Sequence, residues 1–451
     1  MVQKAVRGGP TGQGRAVVLT TAAFVALLPL LAFLLLGDLA WSLKERAVPE
    51  LVKLQLMAFS QNLLLVNLMF GALPAGLALL AGPPVGAWSD RTRTRLGRRI
   101  PFLLAGAPLL AGSLVGLAYS EPLADYLLGL GVVAPGYRRQ AVIGCILLFW
   151  TLYELITVMS TPLFLALITD TVPHRLLGRV FGLFRIVSLA VGALFFYYVF
   201  GNNVAGVAPQ VMLVIAIVYL VAFTLLCLCI REPAYPPPTP TRQAWRGLER
   251  LGAGEGKAPW FYVLLFGAVG VSTISSLPVN INSQNAIAQF GVDPRGFGQA
   301  VAVTYCISIA LALPLGWLAD RFHPLRIGVW LVGLYALSML AAWLCVTGRT
   351  SFLIWLVVHG VLAGAVLSGT ASLLPIMLPA ERFSELAAFY WSMTAILTVV
   401  LTLATGAVLD WSGSDFRLTF LAAGLFALIG TVLWIAALRA WRRATHAAPW
   451  S

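Results

Sequence analysis

Apolar residues in this chain run nearly unbroken for about twenty positions at a time, with short polar breaks between the runs. A helix of that length spans the roughly 30 Å hydrocarbon core of a bilayer while satisfying its own backbone polar groups. The strict alternation of a membrane β-barrel is missing. Twelve spans are predicted, near 17–50, 62–88, 100–119, 141–168, 178–203, 209–231, 258–285, 296–319, 326–347, 352–378, 385–409 and 416–440. The first is too long for a straight crossing, so it is expected to start before the membrane, or to tilt and bend near Pro29 and Pro49. The chain is read as an all-α membrane protein.

Composition agrees. Of 451 residues, 60% are hydrophobic and 10% charged, against about 25% charged in a soluble domain. The net charge of +13 raises nucleic acid as a partner, but the basic residues sit in short loops between spans, which is membrane topology. Lys4, Arg7 and Arg15 precede a run too long for a signal peptide, so the first span is expected to be retained. Cys145, Cys227, Cys229, Cys306 and Cys345 all fall inside apolar runs and read as buried hydrophobes, with no zinc spacing.

Lysine and arginine set the orientation. Loops after even-numbered spans hold Arg91, Arg93, Arg95, Arg98, Arg99, Arg175, Arg179, Arg231, Arg242, Arg246, Arg250, Lys257, Arg321, Arg326 and Arg382, and both termini are basic. Loops after odd-numbered spans hold Arg138, Arg139, Arg295, Arg349 and Arg417. The rich side is expected in the cytoplasm, so a multi-pass protein of the cell inner (plasma) membrane with both termini cytoplasmic is expected. The Pro-rich, charged stretch from Arg231 to Lys257 divides the chain into a bundle at 1–231, a linker at 232–257, and a second bundle with a basic tail at 258–451. The halves repeat weakly. Pro84-Val-Gly86-Ala-Trp-Ser-Asp90-Arg91 has a counterpart in Pro314-Leu-Gly316-Trp-Leu-Ala-Asp320-Arg321, and Pro173-His-Arg175 echoes Pro379-Ala-Glu381-Arg382.

G-x-x-x-D-R followed by Gly97-Arg98-Arg99-Ile-Pro101-Phe102, with G-x-x-x-D-R again after the eighth span, resembles the major facilitator superfamily over essentially the whole chain. The extended form of the loop is similar to the sucrose-type and glycoside–cation symporter branches. The resemblance implies two pseudo-symmetric six-helix bundles around a central cavity, import of a sugar or glycoside, and alternating access. Physically, Asp90 can accept charge-assisted hydrogen bonds from arginines or helix N-terminal amides of the neighbouring bundle, and Gly86 permits close helix approach. Gly86, Asp90, Arg91, Gly97, Arg98, Arg99, Gly316, Asp320 and Arg321 are therefore candidate gating residues. The competing reading is that the arginines only fix topology.

Charge at membrane depth costs roughly 2.5–3.5 kcal/mol on insertion scales, so ionisable groups there are functional candidates. In the first span Asp38, Trp41, Ser42 and Glu45 share a helical face and Lys44 points elsewhere. An indole can stack on a sugar's C–H surface and a carboxylate can accept its hydroxyls. The alternative places residues 38–46 at a wet outer end. An aspartate in mid-helix followed by an Ala-x-Pro pattern, here Ala47-Val-Pro49, also matches superfamily members. Glu154, beside Tyr153 in the fourth span, is expected to be protonated or to pair with Arg185 in the fifth, a pair that could carry the coupling proton or be static. Asn280, Asn282, Ser283, Gln284 and Asn285 in the seventh span, His359 in the tenth, Trp391 in the eleventh and Asn67 in the second complete the candidate cavity.

No nucleotide-binding, protease or hydrolase motif is found, so an enzyme is not expected. The expected function is proton symport of a sugar, with sodium as the alternative ion. No cofactor is implied. The expected partners are a small-molecule substrate and the lipid bilayer, with no nucleic acid and a monomeric state. An exporter of drugs or metabolites, a non-transporting sensor and a membrane-embedded enzyme remain as other readings.

Overall fold

The twelve expected runs are twelve long helices in the computed structural model, which describes residues 21–92, 94–200, 204–232, 259–378 and 383–445. α1 is Thr21–Phe59. α2 starts as Leu63–Asn67, passes a π turn at Leu68–Ala72 and continues as Leu73–Arg91. α3 is Ile100–Ala118 and α4 Arg138–Thr171. α5 is His174–Leu194 with a π turn at Phe195–Phe200, and α6 is Val204–Cys229. α7 is Pro259–Ile274, broken before Leu277–Asn282. α8 is Pro294–Phe322, α9 Pro324–Cys345 and α10 Arg349–Thr370 with a last turn at Leu373–Met377. α11 is Phe383–Trp411 and α12 Arg417–Thr445. Eleven of these are long and apolar enough to cross a membrane; α1 is the twelfth long helix. The expected linker falls almost wholly outside the described residues.

Two boundaries differ from expectation. α1 does not stop near residue 50 but continues through Pro49 to Phe59. Its 39 residues make about 58 Å of helix. Proline costs one helical hydrogen bond, and complete burial of Ala47, Val48, Leu51, Val52 and Leu56 around it holds the helix together. The loop at 120–139 contains a short helix, Ser120–Gly129. It is tethered by Arg138, whose Nε and Nη2 donate to the two Asp125 carboxylate oxygens at 2.6 and 2.9 Å.

The repeat that was faint in sequence is plain in the packing. In the first half α1 packs on α5 and α6, α3 on α4 and α6, and α2 on α4. In the second half α7 packs on α11 and α12, α9 on α10 and α12, and α8 on α10. Every pair recurs six helices later. The two seams between halves obey the same rule, because α5 meets α8 and α11 meets α2.

The α2–α11 seam is close because it is built on glycine. A Cβ on Gly406 would stand 2.8 Å from the Leu64 Cα, and one on Gly71 would stand 2.4 Å from Thr402 Cγ2. These contacts lie at the end of the molecule opposite the arginine-rich loop, here the distal end. Asp410 of α11 there accepts the Leu63 and Leu64 amides at 2.9 Å each, and Asn62 accepts that of Leu65 at 2.7 Å. Three of the unpaired amides at the start of α2 are thus satisfied, two by the other half. At the α5–α8 seam Phe196 meets Phe297 edge to face and Phe200 packs on it at a tilt, with centroids 6.4 and 5.5 Å away.

The described bonds of the arginine-rich loop run to Glu232 and Asp170, while the Asp90 side chain, on which the expected latch rests, lies outside the described residues. Glu232, following α6, accepts the Arg98, Arg99 and Ile100 amides at 2.9, 2.8 and 2.7 Å, capping α3. Arg98 and Arg99 both reach Asp170 of α4, at 3.1 and 2.9 Å. These bonds stay within the first half. Gly97 has φ +120°, and a Cβ there would stand 2.5 Å from the Glu232 carboxyl, so glycine is required. Gly86 lies within α2, and the side chains of Asp90, Arg91 and Asp320 lie outside the described residues. Gly316 lies in α8, and the Arg321 guanidinium sits 5.3 Å above the Trp317 ring. The cysteines also depart from expectation. Cys145 and Cys227 are buried, but Cys229, Cys306 and Cys345 stand exposed. An apolar run gives a membrane helix a lipid-facing surface as readily as a buried one.

Candidate functional site

A cavity of about 490 Å³ lies between the halves, walled by α1 and α5 on one side and α7, α8, α9 and α10 on the other. The first half supplies its charge: Glu45, Arg46 and Glu50 from α1 and Arg185 from α5. The second half supplies neutral polar groups, among them Ser272, Ser276, Asn280 and Ser283 of α7, and His359 of α10. The break in α7 produces that wall. Pro278 cannot donate a backbone hydrogen bond, and a broken helix is tolerated in a membrane where it lines a cavity.

Arg46, Arg185, Glu50 and His359 are each held by named partners. Arg46 donates to Ser188 Oγ from Nε and Nη2 at 3.4 and 3.1 Å and to the Tyr305 hydroxyl from Nη1 at 3.4 Å. Arg185 donates from Nη2 to Ser368 Oγ at 3.4 Å. Glu50 accepts Lys53 Nζ at 2.6 Å. His359 is fixed at both nitrogens. Nε2 meets Asn280 Oδ1 at 3.0 Å and Nδ1 meets the Tyr335 hydroxyl at 3.0 Å. With an amide oxygen at Nε2, that nitrogen donates and Nδ1 accepts.

Behind the cavity, inside the first half, lies a second polar cluster. Lys44 is completely buried, its Nζ donating to Thr157 Oγ1 at 3.1 Å and standing 3.8 Å above the Trp41 ring. Tyr153 and Tyr219 complete an aromatic box around the ammonium, at 5.3 and 5.9 Å. The charges of Glu45 and Glu154 act on it, without either making a direct ion pair. Asp38 is buried with Oδ2 lacking a protein partner.

Of the sequence-predicted residues, Glu45, Arg185, Asn280, Ser283 and His359 meet in the cavity. Asp38, Trp41, Tyr153 and Glu154 do not line it. The Trp41 ring is packed against Phe164, Tyr219 and Phe223, and the Tyr153 hydroxyl donates to the Lys44 carbonyl at 3.3 Å. The expected Glu154–Arg185 pair is not made. Arg185 projects across the seam to Ser368, and the cation facing Glu154 is Lys44. That corrects the placing of Lys44 away from the functional face. It lies about 60° from Trp41 on a helical wheel, and a lysine stem covers that arc easily. Trp391 is 62% exposed on α11, because its neighbour Tyr390 takes the inward position. Gln284 donates to the Glu50 carbonyl at 3.4 Å, while Gln284 Oε1 and both Asn285 amide atoms are buried without protein partners.

Asn67 and Asn282 join the halves. Asn67 Nδ2 donates to Asn282 Oδ1 at 2.9 Å and Asn282 Nδ2 donates to Asn67 Oδ1 at 3.1 Å. Each also donates to a carbonyl four residues back, Leu63 and Pro278, at 2.9 Å. Both are wholly buried. Sequence reasoning missed Lys44, Arg46, Glu50 and Tyr305. The first three were visible as charges in the first span, and the fourth as a hydroxyl in an otherwise apolar run. Among the described residues no cluster of three metal-ligating side chains occurs.

Comparison with known proteins supports the architecture. A sequence model of the Major Facilitator Superfamily matches residues 264–449. No curated protein matches in sequence. A D-xylose–proton symporter is similar in structure, with a TM-score of 0.67 and 16% identity, over 92% of this chain and 97% of that one. A bacterial homolog of the human lysosomal transporter Spinster, inward-facing and unoccupied, gives 0.64 and 16% over 96% and 99%. A bacterial homologue of the iron transporter ferroportin, inward-facing, gives 0.62 and 15% over 92% and 98%. The chain has the major facilitator fold.

Proposed function

We propose that this protein is a secondary active transporter that imports a small hydroxylated solute of the sugar or glycoside class together with a proton. The observation that carries the reading is the cavity itself. It lies between the halves, about 490 Å³ in volume, with charged groups on one wall and hydroxyls and amides on the other. Hydroxyl and amide groups both donate and accept, as sugar hydroxyls do. The resemblance of the fold to a D-xylose–proton symporter favours the same class of solute. With the basic end in the cytoplasm, distal closure by Asp410, Asn67 and Asn282 defines the state that releases solute inward, and rocking of the halves exposes the cavity to the other side. The reading is transport and not catalysis.

Coupling is assigned to Glu154 and Lys44. A buried carboxylate without a direct ion pair is expensive when ionised, so proton exchange at Glu154 is linked to where the Lys44 charge finds its balance. Glu45 stands at the cavity wall and acts on Lys44 as well, which connects solute occupancy to that balance. The test is uptake of labelled sugar into proteoliposomes with an imposed pH gradient. Wild type is expected to accumulate it, and Glu154→Gln to exchange it without accumulation. Accumulation by Glu154→Gln equal to wild type contradicts the assignment, and accumulation that follows sodium instead makes sodium the coupling ion.

A further inference from the structure

Two arginines of the cavity wall, Arg46 and Arg185, bond only to hydroxyls, and the geometry points to a substrate that bears one carboxylate. The inference rests on reading this cavity as the solute site. Four ionisable side chains line it: Glu45, Arg46, Glu50 and Arg185. Glu50 is taken by Lys53 at 2.6 Å. Neither Arg46 nor Arg185 is within ion-pair distance of a carboxylate among the described residues; they donate to the hydroxyls of Ser188, Tyr305 and Ser368. Glu45 acts on both through its charge. Two guanidinium groups therefore face one carboxylate across the opening. Asp38, two helical turns from Arg46, is outside the cavity wall, and Glu154 faces Lys44 behind it.

The two cations also act on each other. Like charges held together at membrane depth are costly unless an anion completes the set. Each guanidinium has five N–H donors. Arg46 uses three of its nitrogens on hydroxyls, and Arg185 uses one. Arg185 thus keeps most of its fork for a ligand, and a planar fork matches a carboxylate in two parallel hydrogen bonds. Opposite the arginines, the wall of α7 and α10 is neutral. Asn280, His359 and the serine hydroxyls suit the hydroxylated body of the same molecule. The site fits a hydroxy acid, its carboxylate between Arg46 and Arg185 and its hydroxyls towards α7.

D-gluconate and D-sorbitol isolate the charge, because they share a six-carbon hydroxylated chain and differ in a carboxylate against a CH2OH. Hexanoate has the carboxylate without the hydroxyls. Thermal stabilisation of the purified full-length protein at matched ionic strength is expected from gluconate and to be much smaller from sorbitol and hexanoate. Loss of a charge-assisted hydrogen bond is worth about 1.5–3 kcal/mol, so Arg185→Gln should weaken gluconate binding by about tenfold to a hundredfold. Arg185→Lys, which keeps the charge and loses the fork, should fall between them. It serves also where the glutamine variant does not fold.

Equal stabilisation by sorbitol and gluconate overturns the inference and leaves the hydroxylated-solute reading standing. Equal stabilisation by hexanoate and gluconate keeps the anion site and overturns the sugar-like class. No shift with any of the three overturns both. Gluconate binding unchanged in Arg185→Gln overturns the placement of the carboxylate at Arg185.

Discussion

Removing the Asn67 carboxamide should open the distal end of the protein. Asn67 and Asn282 exchange two hydrogen bonds, at 2.9 and 3.1 Å, between helices of different halves. Separation of the halves breaks both. Interhelical hydrogen bonds in membranes average about 0.6 kcal/mol and reach about 1.7 kcal/mol. Asn67→Ala also leaves the Asn282 oxygen buried and unpaired, which costs about 1–3 kcal/mol in the closed state. A net shift of about 2 kcal/mol against closure is expected, or about thirtyfold in the equilibrium between states. The assay replaces the five native cysteines with alanine, introduces Ser283→Cys at the cavity wall, and measures its labelling from the distal side by an impermeant thiol reagent. Labelling should be faster in Asn67→Ala and in Asn282→Ala. The double change to leucine removes both polar groups and should lie closer to the parent than either single variant. Gly406→Ala should act in the same direction by pressing on the Leu64 backbone. Unchanged labelling in Asn67→Ala refutes the latch.

Other outcomes follow from the same contacts. Lys44→Gln should abolish proton-driven accumulation while leaving the protein monodisperse; accumulation at the wild-type level would contradict a coupling role. Gly97→Ala should cost about 1–3 kcal/mol, read as a lower melting temperature, because its φ of +120° and the nearby Glu232 both exclude a Cβ. In the distal loop, the Arg138 hydrogen bonds hold the Asp125 carboxyl below the ordinary carboxylate range. A depressed folded value means the tether is complete above the unfolded value, about 3.9, and is lost as pH falls through the folded one. Protection factors over residues 120–137, with the intrinsic pH dependence of amide exchange divided out, should therefore be flat from pH 7 to 5 and fall only in stronger acid. A fall between pH 7 and 5 would exclude this tether.

The helices were legible in the chain because each rests on a local property, a run of apolar residues about one bilayer thick. The repeat was legible only at two short motifs, Gly86–Arg91 with Gly316–Arg321 and Pro173–Arg175 with Pro379–Arg382, yet every pair named in the first half has its counterpart in the second. Helix packing depends on shape at many small positions, such as Gly406 against Leu64, and no short motif records it. The ionisable candidates in α1, α4 and α5 were also found, since charge stands out in an apolar run. Their partners were not. Helical phase places Lys44 some 60° from Trp41, but a long side chain can cross that arc, and the other two rings of its aromatic box come from α4 and α6. Likewise Arg185 bonds to Ser368, 183 positions away, a contact that only the meeting of the halves creates. The extended arginine loop was conspicuous as charge, but its described bonds to Asp170 and Glu232, which tie α3 to α4 and cap it, come from residues 72 and 134 positions beyond Arg98 that no motif names.

The central claim, that a hydroxylated solute and a proton cross together, is tested most directly by recording both at once. Proteoliposomes loaded with a pH-sensitive dye and held without an initial gradient receive the solute from outside. Coupled import predicts an interior acidification that begins with solute entry, scales with it, and disappears in Glu154→Gln. Solute entry with a constant interior pH would contradict the account.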